Sequence, residues 1–179
     1  WLTRERLRLW AFAVLIASVA GLGFLIASTD GLSDYQGRPL GTDFSNVYAA
    51  GTYVLEGQPG APFDPPSQHA RERAIFGEAT PFYGWHYPPF FLAVALLVAA
   101  LPYGWGLAVW LAASFAAYLA MLRAILPRPE TWLIAAAFPA VFVNIGHGQN
   151  GFLTAALLGG ALHFLDRRPW LAGILIGVL

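Results

Sequence analysis

Four short stretches of the sequence hold side chains able to do chemistry. Asp43 lies in Gly41-Thr42-Asp43-Phe44-Ser45-Asn46-Val47-Tyr48, where helical spacing begins. A carboxylate there can cap the helix by accepting its first N–H groups, or act as a general base. The two roles conflict, because capping lowers the acid's pKa and weakens it as a base. They coexist only if the proton is taken late, once the acceptor hydroxyl has become acidic. In the turn Gly146-His147-Gly148-Gln149-Asn150, His147, Gln149 and Asn150 could bind sugar hydroxyls or a phosphate. A plain hairpin turn satisfied by water is the alternative. In Gly84-Trp85-His86-Tyr87-Pro88-Pro89, Trp and Tyr suit the headgroup layer and the prolines force an extended entry. Anchoring alone would explain that stretch; His86 is its one member able to pair with a phosphate as a cation. Arg71 and Arg73 flank Glu72 and read either as a solvated helix face or as cations that an anionic donor must find.

Other site chemistries lack support. There is no cysteine, the four histidines are scattered, and no Asp-x-Asp occurs in the acidic stretch, so no metal site is evident. Neither nucleotide-binding glycine motif is present. His163 lies within an apolar run and reads as a packed, hydrogen-bonded histidine.

These residues need a scaffold, and composition says which kind. Of 179 residues, 11% are charged and 58% are apolar, against roughly 25% charged in soluble domains. Disorder and a basic nucleic-acid surface are excluded, and the apolar residues are segregated into long blocks. The expectation is an all-α, polytopic membrane protein. Leu9 to Ser28 carries no charge over 20 residues and follows Arg4, Arg6 and Arg8, which puts the N-terminus in the cytoplasm. It reads as an uncleaved anchor rather than a signal peptide.

Residues 29–88 form a polar extracytoplasmic loop holding seven of the ten acids but only three arginines. Helices are expected at about 43–56 and 65–76, lying on the membrane surface. The first has Phe44, Val47, Tyr48, Gly51 and Leu55 on one face. The second is framed by Asp64 as N-cap, Pro65 in its first turn and Gly77 past its end. Further apolar segments follow at 89–101, 105–126, 131–145, 151–165 and 170–179. The segment 89–101 is re-entrant, interfacial or a short span, and the choice decides the side of everything after it. If it does not cross, seven of ten arginines fall inside, as the positive-inside rule prefers. Trp132 to Asn144 reads as one helix, and Gly173 to Gly177 matches a small-xxx-small pattern. The last run, Trp170 to Leu179, reaches about 15 Å as a helix, half a span, so the chain reads as an N-terminal fragment, one incomplete membrane domain.

Three motifs in order carry a resemblance: Thr-Asp-Phe-x-x-x-Tyr-x-Ala-Gly (Thr42 to Gly51), Tyr-Pro-Pro (Tyr87 to Pro89) and Gly-Gln-Asn-Gly (Gly148 to Gly151) opening an apolar helix. Together they resemble the GT-C glycosyltransferases, most of all the polyprenol-phosphate-mannose-dependent family 87, across Arg4 to Leu179. The resemblance implies an integral membrane enzyme of a bacterial inner or plasma membrane, with its active site facing outside. It implies a polyprenyl-phosphate sugar donor, mannose in the first instance, a lipid or glycan acceptor, and membrane lipids as surroundings. Asp43 matches the catalytic acid of the first outside loop. His147, Gln149 and Asn150 match substrate contacts, and Tyr48 and Tyr87 join them from the first two motifs. The second loop has no acid, which fits an enzyme without metal or other cofactor.

Ordinary chemistry fills in the rest. A glycosyl phosphate has a good leaving group, so Asp43 alone suffices as base for one inverting displacement. Arg71, Arg73, His86 or His147 would face the lipid phosphate. The competing class is a transporter or another non-enzymatic membrane module. Transporters tend to carry charges inside the bilayer, and none of these 20 lies mid-span.

Overall fold

The computed structural model describes residues 3–179. Among them it is all-α, with nine α-helices, two 3-10 turns and only isolated β-bridges around Ser33. In chain order the helices are α1 (Arg4–Ala27), α2 (Thr42–Leu55), α3 (Pro65–Phe76), α4 (Leu92–Ala99), α5 (Tyr103–Ile125), α6 (Thr131–Ala137), α7 (Pro139–His147), α8 (Gly151–Phe164) and α9 (Pro169–Gly177). Two of them, α1 and α5, are long and apolar enough to cross a membrane. At 24 and 23 residues they extend about 36 and 35 Å. No residue of α1 is buried, although Leu9, Trp10, Phe12 and Ile16 all lie on it.

The chain forms two compact units. One comprises Gly23–Leu111 and Ile145–Gln149. Its centre is α2, whose Phe44, Ala49 and Ala50 have no exposed surface. Small residues let α2 be covered closely: a Cβ on Gly51 would stand 2.1 Å from the Ala95 carbonyl oxygen and 2.6 Å from Ala99 Cβ. The α2 and α4 backbones therefore touch, and α4 buries Leu92, Ala95, Val98 and Ala99. Helix α2 is thus buried on more than the one apolar face expected of it. Ser45, Asn46 and Ala49 are buried off its apolar face, while Leu55, assigned to that face, is 51% exposed. The helix is a core element because its small residues leave no side that cannot be covered.

A further short helix of this unit, α3, has no apolar stripe, so the residues it buries are polar, Gln68 and Glu72. Asp64 caps it by accepting the Ser67 N–H at 3.0 Å, Pro65 opens it, and Gly77 ends it at φ +107°. Around Phe44, the rings of Tyr48, Phe76 and Tyr103 interlock, with Tyr103 5.0 Å from Tyr48 and 4.9 Å from Phe76.

The other unit comprises residues 3–22, 112–144 and 150–179. The segment read as one helix from Trp132 to Asn144 is two, α6 and α7. Pro139 brings no N–H to continue the ladder, and Phe138 before it is extended at φ −63°, ψ 126°. Phe115 and Tyr118 of α5 pack on Phe152 of α8, at 5.0 and 5.4 Å. Helices α8 and α9 approach at Gly160, where a Cβ would meet Leu175 at 3.0 Å. The small-xxx-small pair Gly173 and Gly177 has nothing within 4 Å of an added Cβ, so it does not mediate that contact.

Candidate functional site

Three sequence motifs meet within the unit built on α2. Gly41, at φ +73°, turns the chain into α2, and Thr42 and Asp43 form its first turn. No side chain caps this helix, which corrects the reading of Asp43 as its N-cap. Asp43 lies one position inside the helix, in its first turn. It is half-buried, and among the described residues no hydrogen bond or ion pair engages its carboxylate. Its lone pairs stay uncommitted, and the conflict between capping and base disappears.

The turn at the end of α7 docks against this start. Thr42 Oγ1 and His147 Nδ1 hydrogen-bond at 2.8 Å. Gly148, at φ +64°, lies so close that a Cβ would stand 2.7 Å from Phe44 Cβ and 3.4 Å from Gly41 Cα. Trp110 of α5 donates its indole N–H to the Gly148 carbonyl at 3.0 Å. His147 and Gln149 are exposed beside this contact, whereas Asn150 falls in the other unit and makes no capping bond to α8.

The Tyr-Pro-Pro segment supplies the third side. Tyr87 stacks on Phe91 at 4.4 Å, and Phe91 meets Trp110 edge-on at 6.1 Å. An aromatic wall thus runs from Tyr87 to the indole that holds Gly148. Burial pushes the Tyr87 hydroxyl pKa up, and the negative charge of Asp43 adds to the shift. Tyr83 is pushed up by burial too, with Asp43 among the charges that reach it. Both phenols therefore stay protonated as hydrogen-bond donors near the carboxylate.

What fixes this segment is Glu72, which looked like part of a solvated arginine-rich face. It is fully buried and accepts the N–H groups of Tyr83 at 3.0 Å and Gly84 at 2.9 Å. Gln68, one turn back, donates to Glu72 at 3.3 Å and to the Asn46 carbonyl of α2 at 3.0 Å. Burial raises the Glu72 pKa, against the lowering by those backbone N–H groups. The sequence signal was there: a helix without an apolar stripe must bury polar residues, and Gln68 and Glu72 share a face at i, i+4.

The remaining candidate residues have partners. Tyr48 donates its hydroxyl to the Leu101 carbonyl at 3.0 Å, tying α2 to the end of α4. Arg71 grips Glu56 through both nitrogens at 2.5 Å and covers the Tyr53 ring at 4.0 Å. Arg73 is paired with Glu78. His86 Nε2 bonds the Tyr83 carbonyl at 2.9 Å and lies exposed. Among the described residues, no group of three or more His, Asp or Glu could hold a metal ion.

The family model of glycosyltransferase family 87 matches residues 85–179, more than half of the chain. That match takes in the Tyr-Pro-Pro and Gly-Gln-Asn-Gly motifs and begins after Asp43. No curated protein and no solved structure matches.

Proposed function

The chain belongs to glycosyltransferase family 87, and on that premise we propose that it moves a sugar from a polyprenyl-phosphate donor to a lipid or glycan acceptor. The observation that supports this most is the 2.8 Å bond between Thr42 and His147. It sets Asp43, the next residue, beside the polar turn that carries His147 and Gln149.

In the reaction the acceptor hydroxyl oxygen attacks the anomeric carbon while the bond from that carbon to the phosphate oxygen breaks. The electron pair of that bond leaves with the polyprenyl phosphate. The hydroxyl proton passes to Asp43, and the single displacement inverts the anomeric centre. The leaving phosphate needs hydrogen-bond donors rather than an acid. His147, Gln149 and the protonated Tyr87 hydroxyl are donors able to serve. Tyr48, Arg71, Arg73 and His86 contribute only by releasing the partners they now hold. Mannose is the first sugar to test; arabinofuranose or another lipid-linked pentose uses the same chemistry.

The membrane reading is of the same kind. An apolar helix with no buried residue, such as α1, suits lipid as its covering. Arg8, near the start of α1, pairs at 2.9 Å with Glu130, just past the end of α5. The N-terminal end of α1 and the C-terminal end of α5 thus share a side, so these two helices cross in opposite directions. That leaves α4 as a helix that does not cross; its eight residues reach only about 12 Å. Arg4, Arg6, Arg8, Arg123 and Arg128 then gather inside, and the acid-rich segment lies outside. Of the later helices α8 is the longest, at 14 residues, and the reading of a polytopic GT-C bundle extends through it.

The decisive experiment is transfer from radiolabelled polyprenyl-phosphate mannose in membranes carrying the protein. Asp43→Asn is expected to reduce transfer by roughly 10²- to 10⁴-fold. Unchanged transfer by that variant would remove the base and the mechanism with it. The chain has no cysteine, so Gln58→Cys and Arg128→Cys report topology through an impermeant maleimide. The first should label from outside and the second only after permeabilisation.

A further inference from the structure

The unit holding residues 3–22 and 112–144 contains a groove of about 480 Å³ that takes no part in the site above. Its wall is apolar, formed by Leu7 of α1, Leu122 of α5, Leu126, and Ile134 and Phe138 around α6. Its rim is charged, with Arg4 from the start of α1 and Arg128 from the turn after α5. Both arginines are exposed, and among the described residues neither has a carboxylate within ion-pair distance. One acid, Glu130, also lines the groove, but Arg8 holds it at 2.9 Å. The Arg8 and Arg4 charges contribute to lowering the Glu130 pKa, after the effect of its own backbone N–H. Arg4 and Arg128 on the rim, with Arg8 paired to the one carboxylate, leave the groove a net positive charge.

The volume is within the range of small-molecule sites, roughly 300–1,000 Å³. An apolar trough with a cationic rim fits an amphiphile that has an anionic head and a hydrocarbon tail. Arginine favours a phosphate over other anions because its planar fork matches two oxygens at once. Basic pockets between membrane helices hold anionic lipid head groups on this basis. Helices α1 and α5, whose ends build the groove, are the two long enough to cross a bilayer. The groove therefore belongs at the level where head groups meet tails.

We propose that this groove is a binding site for an anionic phospholipid, its phosphate between Arg4 and Arg128 and an acyl chain along Leu7, Leu122 and Phe138. It shares no residue with the Asp43 site, and it rests on the membrane reading above rather than on the glycosyltransferase chemistry.

The test is native mass spectrometry, with melting temperature as a second readout, on the purified protein in a neutral detergent. Phosphatidylglycerol should bind and raise the melting temperature. Phosphatidylcholine with the same acyl chains, and inorganic phosphate, should do neither. Arg4→Gln and Arg128→Gln should each weaken phosphatidylglycerol binding roughly five-fold, and together roughly 30-fold. Both residues are exposed, so folding is not at stake. Removing two charges elsewhere in the same unit, by Arg167→Gln with Arg168→Gln, should leave binding unchanged. Equal binding of the two lipids, or equal losses from the two double variants, would overturn the site and leave only general charge attraction. Binding of free phosphate alone would also overturn it, since the apolar wall would then be idle.

Discussion

Thr42 Oγ1 and His147 Nδ1 stand 2.8 Å apart although 105 residues separate them in the chain. The bond positions an exposed imidazole from a buried hydroxyl at the first turn of α2. Thr42→Val keeps the shape and removes the bond. It should cost about 1 kcal/mol of stability and reduce sugar transfer well beyond what that loss explains. Thr42→Ser should restore both. Melting curves and transfer assays on the two variants check this; full transfer by Thr42→Val would show that His147 needs no positioning.

The two glycines that flank His147 should respond in opposite ways. Gly148 adopts φ +64°, and an added Cβ would press on Phe44 Cβ at 2.7 Å. The left-handed backbone alone costs about 1–2 kcal/mol for alanine, before any displacement of the turn. Gly146 lies inside α7, with nothing within 4 Å of an added Cβ. Gly146→Ala should be neutral or stabilising by up to about 1 kcal/mol. Thermal melting of both variants in detergent separates them, and similar losses would mean the turn is not packed as described.

Gly51 tests the core in the same way. Alanine there would bring Cβ within 2.1 Å of the Ala95 carbonyl oxygen, a backbone atom that cannot rotate aside. Helices α2 and α4 would have to part, at a cost of about 3 kcal/mol or more. Ala50→Gly, which deletes a methyl group from the neighbouring buried position, should cost about 1 kcal/mol. Expression level and melting temperature report the order of the two; a well-folded Gly51→Ala protein would contradict the backbone contact.

These contacts show what sequence patterns reach and what they do not. The apolar runs of α1 and α5 were legible because length and hydropathy suffice to mark a membrane-length helix. The frame of α3 was legible because Asp64, Pro65 and Gly77 act locally. The burial of α2 was not, since Ala49, Ala50 and Gly51 carry no amphipathic signal and are buried only because α4 comes to them. The break at Pro139 was legible but outweighed by the surrounding apolar run. At the site, Asp43, His147 and Tyr87 could be nominated by residue type. Thr42 and Trp110 could not, because their roles are contacts with residues 105 and 38 positions away.

Glu72 gives the stability a pH dependence of its own sign. Burial raises its pKa in the folded protein above the ordinary 4.5, despite backbone N–H groups that oppose the shift. The folded state therefore keeps a proton that the unfolded chain has released. The stability this supplies is complete below 4.5 and is lost as pH rises through the raised value. Asp34 works the other way. Its burial is outweighed by the Arg38 and Gln36 N–H groups and the Arg38 guanidinium, so its pKa is lowered. That contribution is present above its ordinary 3.8 and is lost as pH falls. Melting temperature should thus decline from about pH 4.5 upward, and the decline should be flatter in Glu72→Gln. A wild-type curve that rises throughout this range would show Glu72 to be ionised in the fold.

Arg71 separates a structural tie from a substrate contact. Its guanidinium is held by both Glu56 oxygens and lies over the Tyr53 ring at 4.0 Å. Such a pair is screened by solvent, and its loss costs little stability. If the tie is all that Arg71 provides, Arg71→Gln and Glu56→Gln should lower the melting temperature slightly and alike, with the donor KM unchanged. That is the expected result, since His147, Gln149 and Tyr87 lie closer to Asp43's helix start. If Arg71 instead binds the donor phosphate, the two variants must diverge. Arg71→Gln would then raise the donor KM, whereas Glu56→Gln would free the guanidinium and lower it. The sign of the Glu56→Gln change decides the matter, because no loss of stability can produce a lower KM.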